Sequence, residues 1–272
     1  MRVEILLSND FEFVNYISYT KRTDQKFIRF HVTENYKKEL EMLNKSTCQE
    51  LYISGLSQKA LEYFVLNHAH RFPVIGFVAC TTINDLSSLN TLDTLEYLLI
   101  EHNTRLTKLW NMDMNTALRG IYLEDTKKLT GFDDLISSPV LKELAINESV
   151  NSSLSSNKWT ISSLTPLLNV FALERLSISV SEIKDDGISI LKKMTDLKRL
   201  NLNTGLFELE DFALLNARLK NTVVSPDRPF YVYDGDEFAH IVGRGRPLKR
   251  NNPKLAEIQD RWNLIISQNQ DS

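Results

Sequence analysis

The chain has 272 residues, 42% of them hydrophobic and 25% charged, a balance that excludes global disorder and leaves room for one large core or two small ones. A formal charge of -3 excludes attraction of the whole molecule to nucleic acid or to a membrane surface. No apolar run approaches the ~18–20 residues that span a bilayer, and Met1–Asp10 lacks the apolar core and cleavage site of a signal peptide; a cytoplasmic protein without membrane contact is expected.

Residues 1–47 read as an N-terminal cap. Met1–Leu7 suits a strand, Phe11–Tyr19 a helix or strand, and Tyr36–Leu43, rich in Lys, Glu and Leu, a helix. Phe27-Phe30-Val32 is a first, atypical form of a pattern that dominates residues 48–225, apolar-x-x-apolar-x-apolar. It returns at Cys48-Leu51-Ile53, Val74-Phe77-Ala79, Leu95-Leu98-Ile100, Leu118-Ile121-Leu123, Leu141-Leu144-Ile146, Leu173-Leu176-Ile178 and Leu197-Leu200-Leu202, with starts mostly 21 to 26 residues apart. Leu219-Thr222-Val224 is an irregular last copy. A period of this length marks a solenoid. Numbering each copy from 0, positions 3 and 5 obey strand alternation and point into a shared core. A small polar residue or glycine recurs at position 8 (Thr82, Asn103, Thr126, Ser149, Ser181, Gly205), where the chain must turn. Looser apolar pairs follow, such as Leu106 and Leu109 or Phe212 and Leu215, and read as return segments behind the strands. The step from Leu141 to Leu173 is longer, 32 residues, and contains the polar stretch Asn151–Asn157, which predicts a bulging loop followed by a helix near Ser162–Phe171.

After Ser225 the pattern stops, and residues 226–272 read as a C-terminal cap or small module. Phe230–Tyr233 and Phe238–Val242 flank an Asp234-Gly235 turn, the signature of a hairpin. A helix begins near Asn252 and Pro253, with Leu255, Ile258, Trp262 and Ile265 on one face. Between them lies a basic loop with Arg244, Arg246, Lys249 and Arg250.

The repeats resemble the leucine-rich repeat family, with consensus L-x-x-L-x-L-x-x-N/C-x-L. Leu95-Glu96-Tyr97-Leu98-Leu99-Ile100-Glu101-His102-Asn103 matches its first nine positions; the other copies put Thr, Ser or Gly in place of the asparagine. The resemblance implies a right-handed α/β solenoid of about seven to nine units, a curved parallel sheet with a helical or irregular convex side, capped at both ends. It also implies protein recognition on the concave face, in an adaptor, inhibitor or immunity-like role.

On this phase, positions 2, 4 and 6 point outward. They place an apolar-aromatic stripe of Tyr52, Val78, Leu99 and Tyr122, with Tyr97 beside it, in the N-terminal half, flanked by Glu101, Glu124 and Glu143. Arg175 and Arg199 follow in the C-terminal half. An exposed aromatic stripe edged by one sign of charge suits a protein partner carrying basic groups. The alternative for this face is cover by a terminal segment of the chain itself. Arg-Gly-Arg-Pro at 244–247 is similar to an AT-hook core, so the basic loop offers a second reading, nucleic-acid binding. A third is an enzyme with a pocket around Tyr231, Asp236 and His240. No phosphate-binding glycine loop, nucleophile elbow or zinc-ligand spacing is present, so no catalytic activity, cofactor or metal is expected; His68 and His70 lack nearby cysteines or acids to complete a ligand set. Cys48 reads as inward and Cys80 as outward, six strand positions or roughly 20 Å out of step at ~3.3 Å per residue, too far for a disulfide; two free thiols are expected.

Overall fold

The computed structural model describes residues 27–149 and 158–269. The readings for Met1–Leu7, Phe11–Tyr19 and the loop at Asn151–Asn157 lie outside the described residues. Nine strands form one parallel sheet: β1 (Phe27–His31), β2 (Glu50–Ser54), β3 (Val74–Val78), β4 (Tyr97–Glu101), β5 (Gly120–Glu124), β6 (Glu143–Asn147), β8 (Arg175–Ser179), β10 (Arg199–Leu202) and β11 (Val223–Ser225), side by side in chain order. Two short strands, β7 (Thr160–Ile161) and β9 (Glu182–Ile183), pair with each other apart from it. The architecture is an α/β solenoid of the leucine-rich type.

The pairing register explains why the repeat folds this way. Leu51, Ile75, Leu98, Ile121, Leu144, Leu176 and Leu200 stand opposite one another from β2 to β10, and all are buried. Ile53, Phe77, Ile100, Leu123, Ile146, Ile178 and Leu202 form the parallel inner row. Each such side chain contributes ~1.5–3 kcal/mol on burial, and a unit reaches that burial only with neighbours on both sides.

Three copies of the motif sit two residues away from the expected phase. Val74 pairs with Glu50, so the inward residues of that unit are Ile75 and Phe77, with Phe72 at position 0, and not Val74, Phe77 and Ala79. The first copy aligns on Ile28 and Phe30, and the last on Val224. A strand has period 2, so a slide of two residues keeps every side chain on its face, and alternation alone cannot detect it. The slide moves Cys80 to the asparagine position of the consensus. It is buried there, not outward, with its thiol 3.5 Å from the Ile53 carbonyl, and burial raises its pKa to about 11. Cys48 and Cys80 are not joined in a disulfide.

The asparagine position is a buried structural post. Asn103 Nδ2 donates to the carbonyls of Cys80 and Ile83, each at 3.0 Å, and its Oδ1 accepts from the amides of Arg105 and Leu106 at 2.8 Å. One side chain thereby ties two turns together. Just before it the backbone turns left-handed: Gly55, Ala79, His102 and Asp125, each following a strand, have φ of 76°, 52°, 54° and 48°. The last three donate their amides to Glu101, Glu124 and Asn147 carbonyls on the next unit, which offsets the steric cost of that conformation for residues with a Cβ.

Behind the sheet run α1 (Tyr36–Leu40), α2 (Gln58–Asn67), α3 (Gly187–Leu191) and α4 (Leu209–Arg218). Short 3-10 turns at Ser87–Thr91, Asp133–Ser137 and Thr165–Asn169 complete the return side. The last replaces the helix expected over Ser162–Phe171. Trp159 occupies the long unit's interior and donates its indole N–H to the Leu129 carbonyl at 2.8 Å. The C-terminal part holds a small antiparallel sheet of β12 (Phe230–Val232), β13 (Phe238–Ile241) and β14 (Leu248–Lys249), then α5 (Lys254–Asn269). Helix α5 packs on α4, with Leu255 and Trp262 buried.

Candidate recognition face

The face of the sheet opposite the return segments carries the side chains expected to point away from the core. Parity is as expected; exposure is not. Tyr52, Tyr97, Leu99 and Tyr122 are only 5%, 6%, 1% and 1% exposed. With Val74 and Ala145 they form a second apolar cluster, separate from the main core, against which Val78 packs. The expected water-facing stripe is therefore corrected to a buried layer. Its rows are also corrected by the slide of two in β3. Gly76, not Val78, lies between Tyr52 and Leu99, while Val78 joins the row of Glu101 and Glu124.

Glycines explain how the rings lie down. A Cβ at Gly76 would come within 2.4 Å of the Tyr52 ring, and one at Gly120 within 2.6 Å of the Tyr97 ring. Each tyrosine thus folds over the bare backbone of the next strand, in a gap no other residue would leave. Facing glycine and tyrosine on adjacent outward positions is a signal legible in sequence only once the register is known.

The acidic row borders this cluster at the C-terminal ends of β4 and β5. Tyr122 donates its hydroxyl proton to Glu124 Oε2 at 2.5 Å and accepts from Asn147 Nδ2 at 3.1 Å. Burial, with Glu124 beside it, raises the Tyr122 pKa well above its ordinary value. Burial likewise raises the Glu124 carboxyl; the Tyr122 bond opposes this and the Glu101 charge adds to it. His102, which sequence reasoning passed over, is the most accessible member at 47% exposed. Its Nδ1 lies 3.1 Å from Asp125 Oδ2 and its Nε2 lies 3.4 Å from Glu101 Oε1. Ligand atoms of Glu101, His102 and Glu124 converge within 4.8 Å, a set of types able to hold a divalent cation.

Toward the C-terminal half, Arg175 Nη1 bonds Glu143 Oε1, joining the expected acidic and basic patches into a neighbouring-strand pair. Glu143 is buried and Arg175 half-buried. Arg199 stands beside Arg175 in the register. Ser177 and Asn201, one row over, are buried as well.

The two other candidate regions change form. Lys249 belongs to strand β14 rather than a loop. Arg250 donates to the Tyr233 carbonyl at 2.5 Å, and Arg244 lies 3.5 Å from Glu208, leaving Arg246 as an exposed side chain in the irregular stretch before β14. His240 Nε2 sits 2.7 Å from Asp236 Oδ2. Tyr231, opposite His240 in the hairpin, instead lines an open groove with Asp227, Arg228 and Gln259. The structure does not gather Tyr231, Asp236 and His240 into one pocket.

No family model matches the sequence, and no curated protein matches it. Among solved structures, an internalin from Listeria monocytogenes is similar over 64% of this chain, at 17% identity and a TM-score of 0.32. The match takes in 51% of that protein, so this chain spans about half of its length. The fold is read from the strand pairing itself. Among the described residues no helix is long and apolar enough to cross a membrane.

Proposed function

We propose that this protein is a protein-recognition module without catalytic activity or a cofactor, acting in the cytoplasm as an adaptor, inhibitor or immunity-like binder. The solenoid at 48–225 carries recognition, and residues 1–47 and 226–272 close its ends. The observation that supports the reading is the border of Glu101, His102, Glu124 and Asp125 along the aromatic cluster. Three carboxylates share one rim beside the half-buried Val78, which suits a partner with a basic patch; such charges set register and encounter rate. Val78 borders the rim at the edge of the buried layer of Tyr52, Tyr97, Leu99 and Tyr122, and Glu143, Arg175 and Arg199 extend the proposed site along the sheet. A fold of this kind hosts many roles, so the rim, not the architecture, carries the proposal.

The test is charge reversal at the rim. Glu101→Lys with Glu124→Lys should reduce capture of the native partner by about tenfold or more, while circular dichroism and the unfolding midpoint stay close to wild type. Undiminished capture by the folded variant would place recognition elsewhere.

A further inference from the structure

The C-terminal ends of β4 and β5 bring four ligand-type side chains from two successive units to one point. Glu101 and Glu124 stand opposite each other in the register, and His102 and Asp125 follow them. Like charges placed opposite each other are destabilising by themselves. The left-handed backbone at His102, with φ of 54°, turns its ring between Glu101 and Asp125. Nδ1 lies 3.1 Å from Asp125 Oδ2, so the ring proton is drawn to that nitrogen and Nε2 keeps its lone pair. Nε2 faces Glu101 Oε1 at 3.4 Å. That is longer than the ~2.7–2.9 Å of a charge-assisted hydrogen bond. It matches two ligand atoms sharing one tetrahedral ion, since ligands at ~2.0–2.2 Å from such an ion stand roughly 3.4 Å apart. The Glu124 carboxylate completes the group, all three ligand atoms lying within 4.8 Å of one another. Among the described residues this is the one set of three such side chains to converge.

We infer that Glu101, His102 and Glu124 bind one divalent transition-metal cation of the zinc type, tying the β4 unit to the β5 unit. The imidazole separates this group from an ordinary acidic surface cluster: a nitrogen ligand favours zinc-type ions over magnesium and calcium, which take oxygen. Supporting groups orient the ligands, as such sites require. Asp125 backs the ring and is itself held by the Ser149 amide at 3.1 Å. Tyr122 donates to Glu124 Oε2 at 2.5 Å, which leaves the other carboxylate oxygen for the ion. The ion is a structural tie rather than a catalytic cofactor. No local motif announces it, because its ligands come from two successive units.

The inference does not rest on the recognition reading, and its test needs no partner, so the two fail separately. Zinc chloride is titrated calorimetrically into the full-length chain, free of any histidine tag and of chelator. One saturable ion is expected. Glu124→Gln and His102→Gly should each weaken its binding by about tenfold or more; glycine accepts the left-handed backbone, so the second variant loses the ring and keeps the fold. Asp125→Asn should weaken it by about tenfold. His240→Ala, at the separate His240–Asp236 pair, should leave it unchanged. The unfolding midpoint should rise with zinc in wild type and not in His102→Gly, and excess magnesium should not displace the zinc. Absence of saturable zinc binding overturns the inference and leaves His102 an imidazolium between Glu101 and Asp125. Undiminished binding in His102→Gly overturns it as well, and binding lost in His240→Ala moves the site to the hairpin. Displacement by magnesium would reject the nitrogen ligand and with it the inference. Should Glu124→Gln lose its fold by circular dichroism, the affinity and midpoint of His102→Gly decide.

Discussion

On one side of strand β4, Leu98 sits between Ile75 and Ile121 in a continuous aliphatic row; on the other, Leu99 sits between Gly76 and Tyr122. The two leucines are adjacent in sequence and equally buried, but by different means. Leu98 is locked by stacked units and return segments, each of which needs it. Leu99 is enclosed by tyrosine rings lying over glycine gaps on the other face of the sheet. Burial measured residue by residue hides this difference between a core of stacked units and a layer of rings on the opposite face.

The sharpest way to break that comparison is to truncate both leucines. Leu98→Ala should cost about 3–4 kcal/mol, because the stacked interior cannot collapse around the cavity. Leu99→Ala should cost about 2 kcal/mol, since the tyrosine rings around it can resettle. Urea unfolding midpoints measure both, and equal losses would mean that the two faces are one rigid core. Gly120→Ala is a finer probe. Its methyl group would meet the Tyr97 ring at 2.6 Å, so the ring must lift. A loss of about 1 kcal/mol is expected, with a changed near-ultraviolet dichroism signal; an unchanged signal would deny the ring its seat on the glycine.

The smallest effect sharpens the comparison by charge. Burial, reinforced by Glu101, holds the Glu124 carboxyl above its ordinary value of 4.5. A raised folded-state pKa favours folding below the unfolded value, and that contribution is lost as pH rises through the folded one. Glu124→Gln should therefore be more stable than wild type at neutral pH, with the gap closing toward pH 4.5. Thermal unfolding across that range reads it out. A wild type that is the more stable at neutral pH would show that the rim holds Glu124 as a stabilising anion.

Much of this was legible before any coordinates. The returning leucines gave strand number, order and the inward rows from Leu95 to Leu202, and Asn103 at its consensus position gave the turn. The face of Leu255, Ile258, Trp262 and Ile265 on the last helix could also be read. The slide of two in β3 could not, because Val74 and Phe77 satisfy the motif as well as Ile75 and Phe77 do, and only pairing with β2 separates them. Cys80 looked like an outward residue for the same reason. His102 escaped notice because its left-handed backbone, which brings it between Glu101 and Asp125, has no signature in a non-glycine residue.

Sequence alone decided that the chain stacks strand upon strand, because a period near 23 residues with apolar side chains at two alternate positions buries them only against copies of itself. It also decided which side of each strand a residue occupies, since that depends on parity alone. Tertiary structure decided the register between units and whether the outward side meets water. Both depend on what lies across from a residue, Gly76 beside Tyr52 or Tyr122 beside Leu99, and no local pattern encodes a neighbour two dozen residues away.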